Sequence, residues 1–315
     1  MADLADSAAQ DQTLRAGLYM VATTAFFVAT DACIKFIGTS LPLGQIIGSV
    51  SFLSTLIILI VCAQQGILEK IPQIVSPKVL LRSILEVMAT FMFLAALMHT
   101  PLANMSAIMQ TVPLAVVVIA ILFLGEKAGV GRLLPVAAGF LGVLFVVKPS
   151  FQSISIYEVL ALGTVGVVAI RELVTKRIPA HVPLLIVALA NAVCVSLGGF
   201  AVGAAQGFQM MEMWQLTLLC MAAIGLALGY VLIVLTVRLG ELSATAPFRY
   251  SEVLFAIIAG VLVFNEHPDF LSYFGMTLIV AAGLYAARHE ALQNRLCGAK
   301  LISPLHDFSD DPRDS

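Results

Sequence analysis

A long apolar stretch that occurs twice constrains this chain more than any other feature. The first copy covers residues 102–127 and ends on Gly-Glu-Lys, and the second covers residues 242–267 and again ends a long apolar run on a glutamate. The apolar part is about 23 residues long, which is enough to cross a bilayer as an α-helix. Aligned without a gap, the two copies pair Glu126 with Glu266. The chain is therefore predicted to contain two related halves that span a membrane.

A shorter pattern upstream of these stretches supports the duplication. In each half an acidic residue is followed four positions later by a lysine, and then by a proline that opens the next span. These residues are Asp31, Lys35 and Pro42 in the first half and Glu172, Lys176 and Pro183 in the second. A true repeat keeps nearly one offset along its length, as this pattern does. Chance similarity among apolar helices is the alternative.

The composition excludes a water-soluble fold. Hydrophobic residues make up 60 % of the chain and charged residues 11 %, whereas soluble domains average roughly 45 to 50 % and 25 %. The apolar surface therefore requires membrane lipid around it. The net charge of -2 says nothing about nucleic acid, but no basic stripe occurs, so no nucleic-acid partner is expected. Because the cysteines lack the spacing of metal ligands, we read them as buried thiols and expect no metal. No cofactor is expected either.

Ten apolar stretches predict an all-α integral membrane fold of ten transmembrane helices, arranged as two five-helix repeats around a central cavity. The predicted helices cover residues 14–37, 44–63, 79–98, 102–124 and 132–147 in the first half, and 156–174, 182–205, 213–237, 242–264 and 270–287 in the second. The corresponding units are an N-terminal segment (1–13), the two repeats (14–149 and 150–288) and a polar tail (289–315). The tail carries four aspartates and is expected to be disordered.

The positions of the Lys and Arg residues predict the orientation. With the N-terminus inside, most of them lie on the inner side and only Lys35 and Lys148 fall outside, as positively charged loops favour the cytoplasm. The acidic first residues do not resemble a signal peptide, so we expect them to be retained. We expect a bacterial inner-membrane protein with both termini in the cytoplasm. Since five is odd, the second repeat is inverted, which places Glu126 and Glu266 on opposite faces.

Charged pairs four residues apart lie near the ends of three spans. They are Asp31 with Lys35, Arg82 with Glu86, and Glu172 with Lys176. Residues at this spacing share one helix face, so each pair can simply neutralise itself near the membrane surface. The first and third pairs occupy corresponding places in the two inverted repeats. This symmetry favours a second interpretation, in which they form the outer and inner gates of a transporter.

The ninth span carries ionisable residues deep in the membrane. Glu252 lies close to the predicted midplane, with Arg249 one turn before it. Ionisable groups at this depth are costly and usually face a cavity or a partner. They are either a self-satisfied ion pair or part of a binding site. Pro247 in this span, and Pro113 in the fourth, either break the helix and free backbone carbonyls for a cavity or make ordinary kinks.

These strings resemble the EamA type of the drug/metabolite transporter superfamily. The resemblance covers residues 14–288 and rests on the ten spans, the Gly-Glu-Lys ending, the string GFLGVLFVVKP and the repeated acid, Lys and Pro pattern. In the second half, ATAPFRYSE at 244–252 and FNEHPD at 264–269 are similar to the S-adenosylmethionine uptake branch of that superfamily. The resemblance implies ten helices around a central cavity and the transport of an organic metabolite.

Three classes of function are possible for such a chain. A secondary transporter is favoured, because the inverted repeats and midplane charges are present and no Walker string for ATP hydrolysis occurs. An enzyme is not expected, since HExxH and a convincing Ser/His pairing are lacking. A membrane sensor or structural subunit is the alternative of another class, although the loops are short. Within the transporters, an exporter of amino acids, drugs or other metabolites is the alternative to an importer.

S-adenosylmethionine is the sharpest substrate hypothesis that the resemblance allows. This molecule carries a carboxylate, a sulfonium cation and an adenine. Arg249 would bind the carboxylate with both guanidinium nitrogens, and Glu252 with Glu86 would face the cationic groups. Phe248 or Tyr250 would stack on the adenine or face the sulfonium. If Arg249 and Glu252 satisfy each other instead, the solute is a neutral or amphipathic metabolite.

Overall fold

The computed structural model describes the backbone of residues 2–124, 130–148, 155–239 and 242–302, and these ranges contain helices and no β-strand. The helices are α1 (Ala2–Ile37), α2 (Leu43–Gln64), α3 (Pro77–Leu97), α4 (Leu102–Met109), α5 (Val112–Leu124), α6 (Val130–Val147), α7 (Ile156–Thr175), α8 (Leu184–Gln206), α9 (Met213–Leu239), α10 (Leu242–Arg249), α11 (Ser251–Phe264) and α12 (Phe270–Ile302). A 3-10 helix, Leu68–Val75, joins α2 to α3.

Two of the predicted spans are each built from two shorter helices. The fourth span consists of α4 and α5, separated at residues 110–111, and the ninth consists of α10 and α11, separated at Tyr250. Counting each of these as one span, the described residues contain the ten predicted membrane helices. Eight spans are long and apolar enough to cross a membrane, and Leu133–Val147 is a shorter apolar helix. The remaining helix, α7, carries Glu158 near its start and Arg171 and Glu172 near its end.

The first helices of the two halves run in opposite directions. Lys35, in the last turn of α1, donates a hydrogen bond from Nζ to the Thr100 carbonyl oxygen at 2.6 Å. Tyr157, at the start of α7, stacks on His99 with 3.6 Å between the ring centroids. The end of α1 and the beginning of α7 therefore lie at one end of the bundle. The two five-helix repeats are inverted, as the sequence predicted.

The two ends of the bundle are named here after charged residues. The "Glu266 end" holds Lys35, Thr100 and Glu266, which are joined by hydrogen bonds. The "Arg171 end" holds the end of α7 and the start of α3, where Arg82 Nε donates to Thr175 Oγ1 at 3.0 Å.

Helices of one half pack mainly on helices of the other half. The closest pairs are α1 with α9, α2 with α8, α3 with α7, and α6 with α12. The repeat symmetry maps α1 onto α7 and α3 onto α9, so the first and third pairs are equivalent. Small residues allow close approach in the α2–α8 pair, where a Cβ on Gly199 would come within 2.3 Å of the Gly48 nitrogen. The core of the molecule is therefore shared by both halves.

The C-terminal segment differs from the prediction of a disordered tail. The backbone of α12 continues as a helix through Ile302. The segment 289–302 contains no proline and is rich in Ala, Leu, Glu, Gln, Arg and Lys, which are good helix formers, so the helix of the last span continues. Residues 303–315 lie outside the described residues, as do Gly125, Glu126 and Lys127, so the expected placement of Glu126 opposite Glu266 stays a prediction.

Candidate functional site

The break in the ninth span places Arg249 and Glu252 on two different helices. Arg249 is the last residue of α10, and Glu252 lies in the first turn of α11. The turn between them is short, because Tyr250 N donates to the Pro247 carbonyl at 3.3 Å and Val253 N donates to the Tyr250 carbonyl at 3.2 Å. Pro247 lies inside α10, three residues before the break. A proline clashes with the preceding turn and removes one hydrogen bond, which weakens the helix locally.

The break in the fourth span lies beside the break in the ninth. Gln110 is located between α4 and α5 and is only 2 % exposed. Its Nε2 donates a hydrogen bond to Glu252 Oε2 at 2.9 Å. Pro113 occupies the second position of α5 and has no N–H with which to bond the Met109 carbonyl, so the helix is interrupted just before it. Both interrupted spans therefore meet at the Glu252 carboxylate.

Gln110 is a site residue that the sequence reasoning missed. The signal was present, since a glutamine inside an otherwise apolar span needs a polar partner. The repeat offset also pairs Gln110 with Tyr250, the residue at the other helix break.

Arg249 is exposed at the end of α10. No ion pair with Glu252 within 4 Å occurs among the described residues, although the two charges interact electrostatically. Arg249 also interacts with Glu172 of α7. The guanidinium is therefore available to a solute, while nearby carboxylates offset its charge.

The two aromatic residues beside Arg249 pack against glycines of neighbouring helices. A Cβ on Gly17 of α1 would lie 2.7 Å from the Phe248 ring, and a Cβ on Gly283 of α12 would lie 1.6 Å from the Tyr250 hydroxyl. Both rings are only partly exposed. The predicted stacking of either ring on a substrate stays a prediction, because the structure gives each ring a helix to pack against.

Asp31 and Lys35 do not form the predicted pair. Lys35 Nζ instead donates to Glu266 Oε1 at 2.6 Å, and the Phe264 ring lies 5.2 Å from the same ammonium group. Asp31 interacts electrostatically with Glu252. The spacing rule failed because it considers one helix only, whereas Lys35 reaches the end of α11 on its neighbour.

The Lys35–Glu266 contact joins three segments at the Glu266 end. Glu266 Oε1 accepts the hydrogen bond from Lys35 Nζ. The other carboxylate oxygen, Oε2, accepts a hydrogen bond at 2.8 Å from the backbone N–H of Leu102, the first residue of α4. A carboxylate at a helix N-terminus is also favoured by the helix dipole. Lys35, Glu266 and the backbone of Thr100 and Leu102 together form a contact between the two halves, the lock.

A second ion pair at this end lies on the surface. Lys148 donates to Asp269 Oδ1, and the backbone N–H of Ser272 donates to the same oxygen at 3.2 Å. These hydrogen bonds lower the pKa of Asp269 to about 2. Since both side chains are exposed, the pair contributes little to holding the helices together.

The Arg171 end contains a compact charged cluster between α3 and α7. Arg171 Nη1 donates to both carboxylate oxygens of Glu86, at 3.0 and 2.9 Å, and its Nη2 donates to Glu172 Oε1 at 2.7 Å. Arg82 Nη1 contacts Glu86 Oε2 at 3.3 Å. The predicted Arg82–Glu86 pair is therefore present, with Arg171 as an additional partner.

Of the predictions about this cluster, the pairing of Glu172 with Lys176 needs correction. Glu172 pairs with its neighbour Arg171 rather than with Lys176, which is exposed and has no ion pair within the described part of the chain. Glu86 is surrounded by two guanidinium groups and makes no described contact with Glu252. Its carboxylate is already bound by Arg82 and Arg171, and its predicted role as a second acid of the substrate site stays a prediction.

Most of the chain is similar in sequence to known transporters. The pseudopaline exporter CntI of Pseudomonas aeruginosa is 29 % identical over 286 residues, which cover 87 % of this chain and 97 % of the exporter. The S-adenosylmethionine uptake transporter of Rickettsia bellii is 24 % identical, covering 83 % and 89 %. The riboflavin transporter of Rhizobium johnstonii is 25 % identical, covering 69 % and 72 %. These relatives are transporters and not enzymes.

A solved crystal structure has the same fold. It matches 91 % of this chain and 99 % of its own length with a TM-score of 0.61, at 13 % sequence identity. The sequence profile of EamA-like transporters matches residues 14–148 and again residues 155–287. These two stretches cover every described membrane span except the last two residues of the final one, Phe270–His289. The chain is a multi-pass membrane protein that belongs to the EamA-like transporter family.

Proposed function

We propose that this small-metabolite transporter carries S-adenosylmethionine, or a metabolite with the same charged groups, by alternating access. The observation that supports this most directly is the meeting of the two interrupted spans at Glu252, with Gln110 bound to its carboxylate at 2.9 Å. Interrupted helices whose breaks meet between inverted repeats are typical of the substrate sites of secondary transporters. The similarity to the Rickettsia uptake transporters agrees with this substrate.

The charges at the breaks fit a substrate that carries both signs. Arg249 is exposed and offers a planar guanidinium that can bind both oxygens of a carboxylate. Glu252 lies on the opposite side of the break and offers a carboxylate to a cation. Gln110 holds this carboxylate in one orientation, which favours binding by reducing the ordering required when the substrate arrives.

The lock accounts for one of the two gates that alternating access requires. It ties α1 and α4 of the first half to the end of α11 of the second half. Opening the Glu266 end requires these contacts to separate. The gating role predicted for Lys35 is therefore assigned to its pair with Glu266. Glu172 and Lys176 remain proposed members of the gate at the Arg171 end.

The proposed membrane is the bacterial inner membrane, with both termini in the cytoplasm. In this orientation the Glu266 end faces away from the cytoplasm. Most of the Lys and Arg residues then lie on the cytoplasmic side, as the distribution of positive charge in membrane proteins favours.

Uptake into proteoliposomes tests the proposed substrate. Wild-type protein should accumulate labelled S-adenosylmethionine, and Arg249→Lys should raise its apparent transport constant about tenfold, which corresponds to about 1.4 kcal/mol. Lysine keeps the charge but loses the two-pronged geometry. Arg177→Lys makes the same exchange at an exposed position outside the site and should change nothing. Unchanged uptake by a folded Arg249→Lys variant would contradict the assigned role of Arg249.

Export of another metabolite is the second candidate, and the similarity to the pseudopaline exporter favours it. The same vesicles distinguish the two. If the wild type shows no S-adenosylmethionine flux in either direction, the proposed substrate is wrong. If S-adenosylmethionine moves only when its imposed concentration gradient runs from the Arg171 end to the Glu266 end, the protein exports.

A further inference from the structure

The direction of Asp31 follows from its neighbours on α1. Thr24, Asp31 and Lys35 are spaced by seven and four residues, so they lie on one face of the helix. Thr24 Oγ1 contacts Ser251 Oγ of α11 at 2.7 Å. Lys35 contacts Glu266, just beyond the end of α11. Asp31 lies between these two contacts and therefore faces the ninth span.

Asp31 lacks a counter-charge in this position. Lys35 is the nearest cation along the helix, and its ammonium group is bound by Glu266 and by the Thr100 carbonyl. Among the described residues, no side chain or backbone group donates a hydrogen bond to Asp31. Among the described residues, the charge that acts on Asp31 is the like charge of Glu252, which directly follows Ser251, the partner of Thr24 on the same face of α1.

Two unpaired carboxylates inside a membrane bundle are expensive to maintain. A charged group taken out of water costs several kcal/mol unless a partner compensates it, and a neighbouring like charge adds to this cost. Glu252 receives one neutral amide donor from Gln110. Asp31 receives none within the described part of the chain. Such an arrangement is stabilised when a cation enters between the two acids.

We infer that Asp31 and Glu252 hold the cationic group of the transported metabolite between them. Asp31 then belongs to the substrate site rather than to a gate. This inference rests on the proposed function and deepens it. When both carboxylates are ionised, they and the Arg249 guanidinium give the site one net negative charge. The site therefore selects a solute with one net positive charge, made of a carboxylate and two cationic centres, as in a sulfonium amino acid.

The first test compares S-adenosylmethionine with S-adenosylhomocysteine, which lacks one methyl group and with it the sulfonium charge. Each unlabelled compound competes against labelled S-adenosylmethionine in proteoliposomes. The wild type should prefer the charged compound, and Asp31→Asn should reduce this preference about tenfold, since the remaining carboxylate attracts the cation alone. Asp31→Glu should retain the preference, because it keeps the charge. Glu69→Gln removes an exposed carboxylate and should leave the preference unchanged.

The second test does not depend on the substrate. In the ligand-free protein, Asp31→Asn removes one of two like charges and should raise the melting temperature by a few degrees. If Asp31 instead stabilises the fold by pairing with a cation, the melting temperature falls. A fall or no change, or an unaltered preference for the charged compound, overturns the inference. If the wild type transports no S-adenosylmethionine, the proposed substrate is wrong, and the melting temperatures alone decide the role of Asp31.

Discussion

Glu86 and Glu252 are both glutamates inside membrane helices, and their surroundings give them different tasks. Glu86 receives hydrogen bonds from two arginines, Arg82 and Arg171, on two helices. Glu252 receives one amide hydrogen bond and has no ion pair among the described residues. The first carboxylate is fully compensated by the protein, so it stabilises the contact of α3 with α7. The second retains capacity to bind a solute.

Replacing Glu86 tests this division of roles. Glu86→Gln leaves two mostly buried guanidinium groups without their shared counter-charge and should lower the unfolding free energy by about 3 kcal/mol. The measurement is thermal or denaturant unfolding in detergent, with Glu69→Gln as a control at an exposed glutamate. If Glu86 instead binds substrate, the variant would keep its stability and lose transport.

Local spacing predicted some of these contacts and not others. The Arg82–Glu86 pair lies within one helix, and a spacing of four residues is sufficient to predict it. The partner of Lys35 is 231 positions away in sequence. A pattern on one helix contains no information about which neighbour faces it, so the choice between Asp31 and Glu266 required the three-dimensional arrangement.

At the scale of helices, the sequence predicted that the fourth and ninth spans are interrupted, but it did not predict at which residue. Proline marked both spans, because it removes a backbone hydrogen bond. In the fourth span the break precedes Pro113, whereas in the ninth it follows Pro247. Proline weakens the helix over several residues, and the side chains that pack there determine at which residue the helix is interrupted. Gln110 at one break and Tyr250 at the other are such residues.

The lock is a connection between helices, so a variant should change motion more than fold. Glu266→Gln keeps an acceptor for the Leu102 N–H but removes the charge that attracts Lys35. The Glu266 end should therefore separate more readily. We expect a wider distance between spin labels at Thr39 and at position 267, both of which are exposed.

The neighbouring surface pair provides a matched control for the lock. Asp269→Asn removes the partner of Lys148 at the same end of the bundle but does not touch α1. Exposed pairs contribute about 0 to 1 kcal/mol, so the label distances should not change. Equal effects of Glu266→Gln and Asp269→Asn would show that the Lys35–Glu266 pair has no special role in closing this end.

For the whole molecule, the number of spans and the inversion of the repeats were predictable, because both follow from the apolar pattern and from the odd number of helices per repeat. The packing of helices of one half on helices of the other half was not predictable from the sequence. Apolar helices have similar surfaces, and the sequence does not state that α1 packs on α9 or α6 on α12. These pairings depend on small residues and on shape, which a pattern of hydrophobicity does not record.

Topology is tested with single cysteines in a cysteine-free background. Lys70 lies between α2 and α3, and His267 follows α11 at the other end of the bundle. Both residues are exposed. With the termini in the cytoplasm, His267→Cys should react with an impermeant thiol reagent in intact cells, and Lys70→Cys only after the membrane is opened. The reverse result would invert the proposed orientation, and labelling of both from one side would contradict the inverted repeats.

The packing of each half on the other also affects how the chain folds during synthesis. Helix α1 has α9 as its main neighbour, and about 200 residues must be made after α1 before α9 is complete. At 5 to 20 residues per second, this is a delay of roughly 10 to 40 s. During that time Asp31, Lys35 and the glycine face of α2 are without their final neighbours. A chain that stops within the second half therefore leaves the first half unpaired in the membrane, where the quality-control proteases of the cell can recognise it.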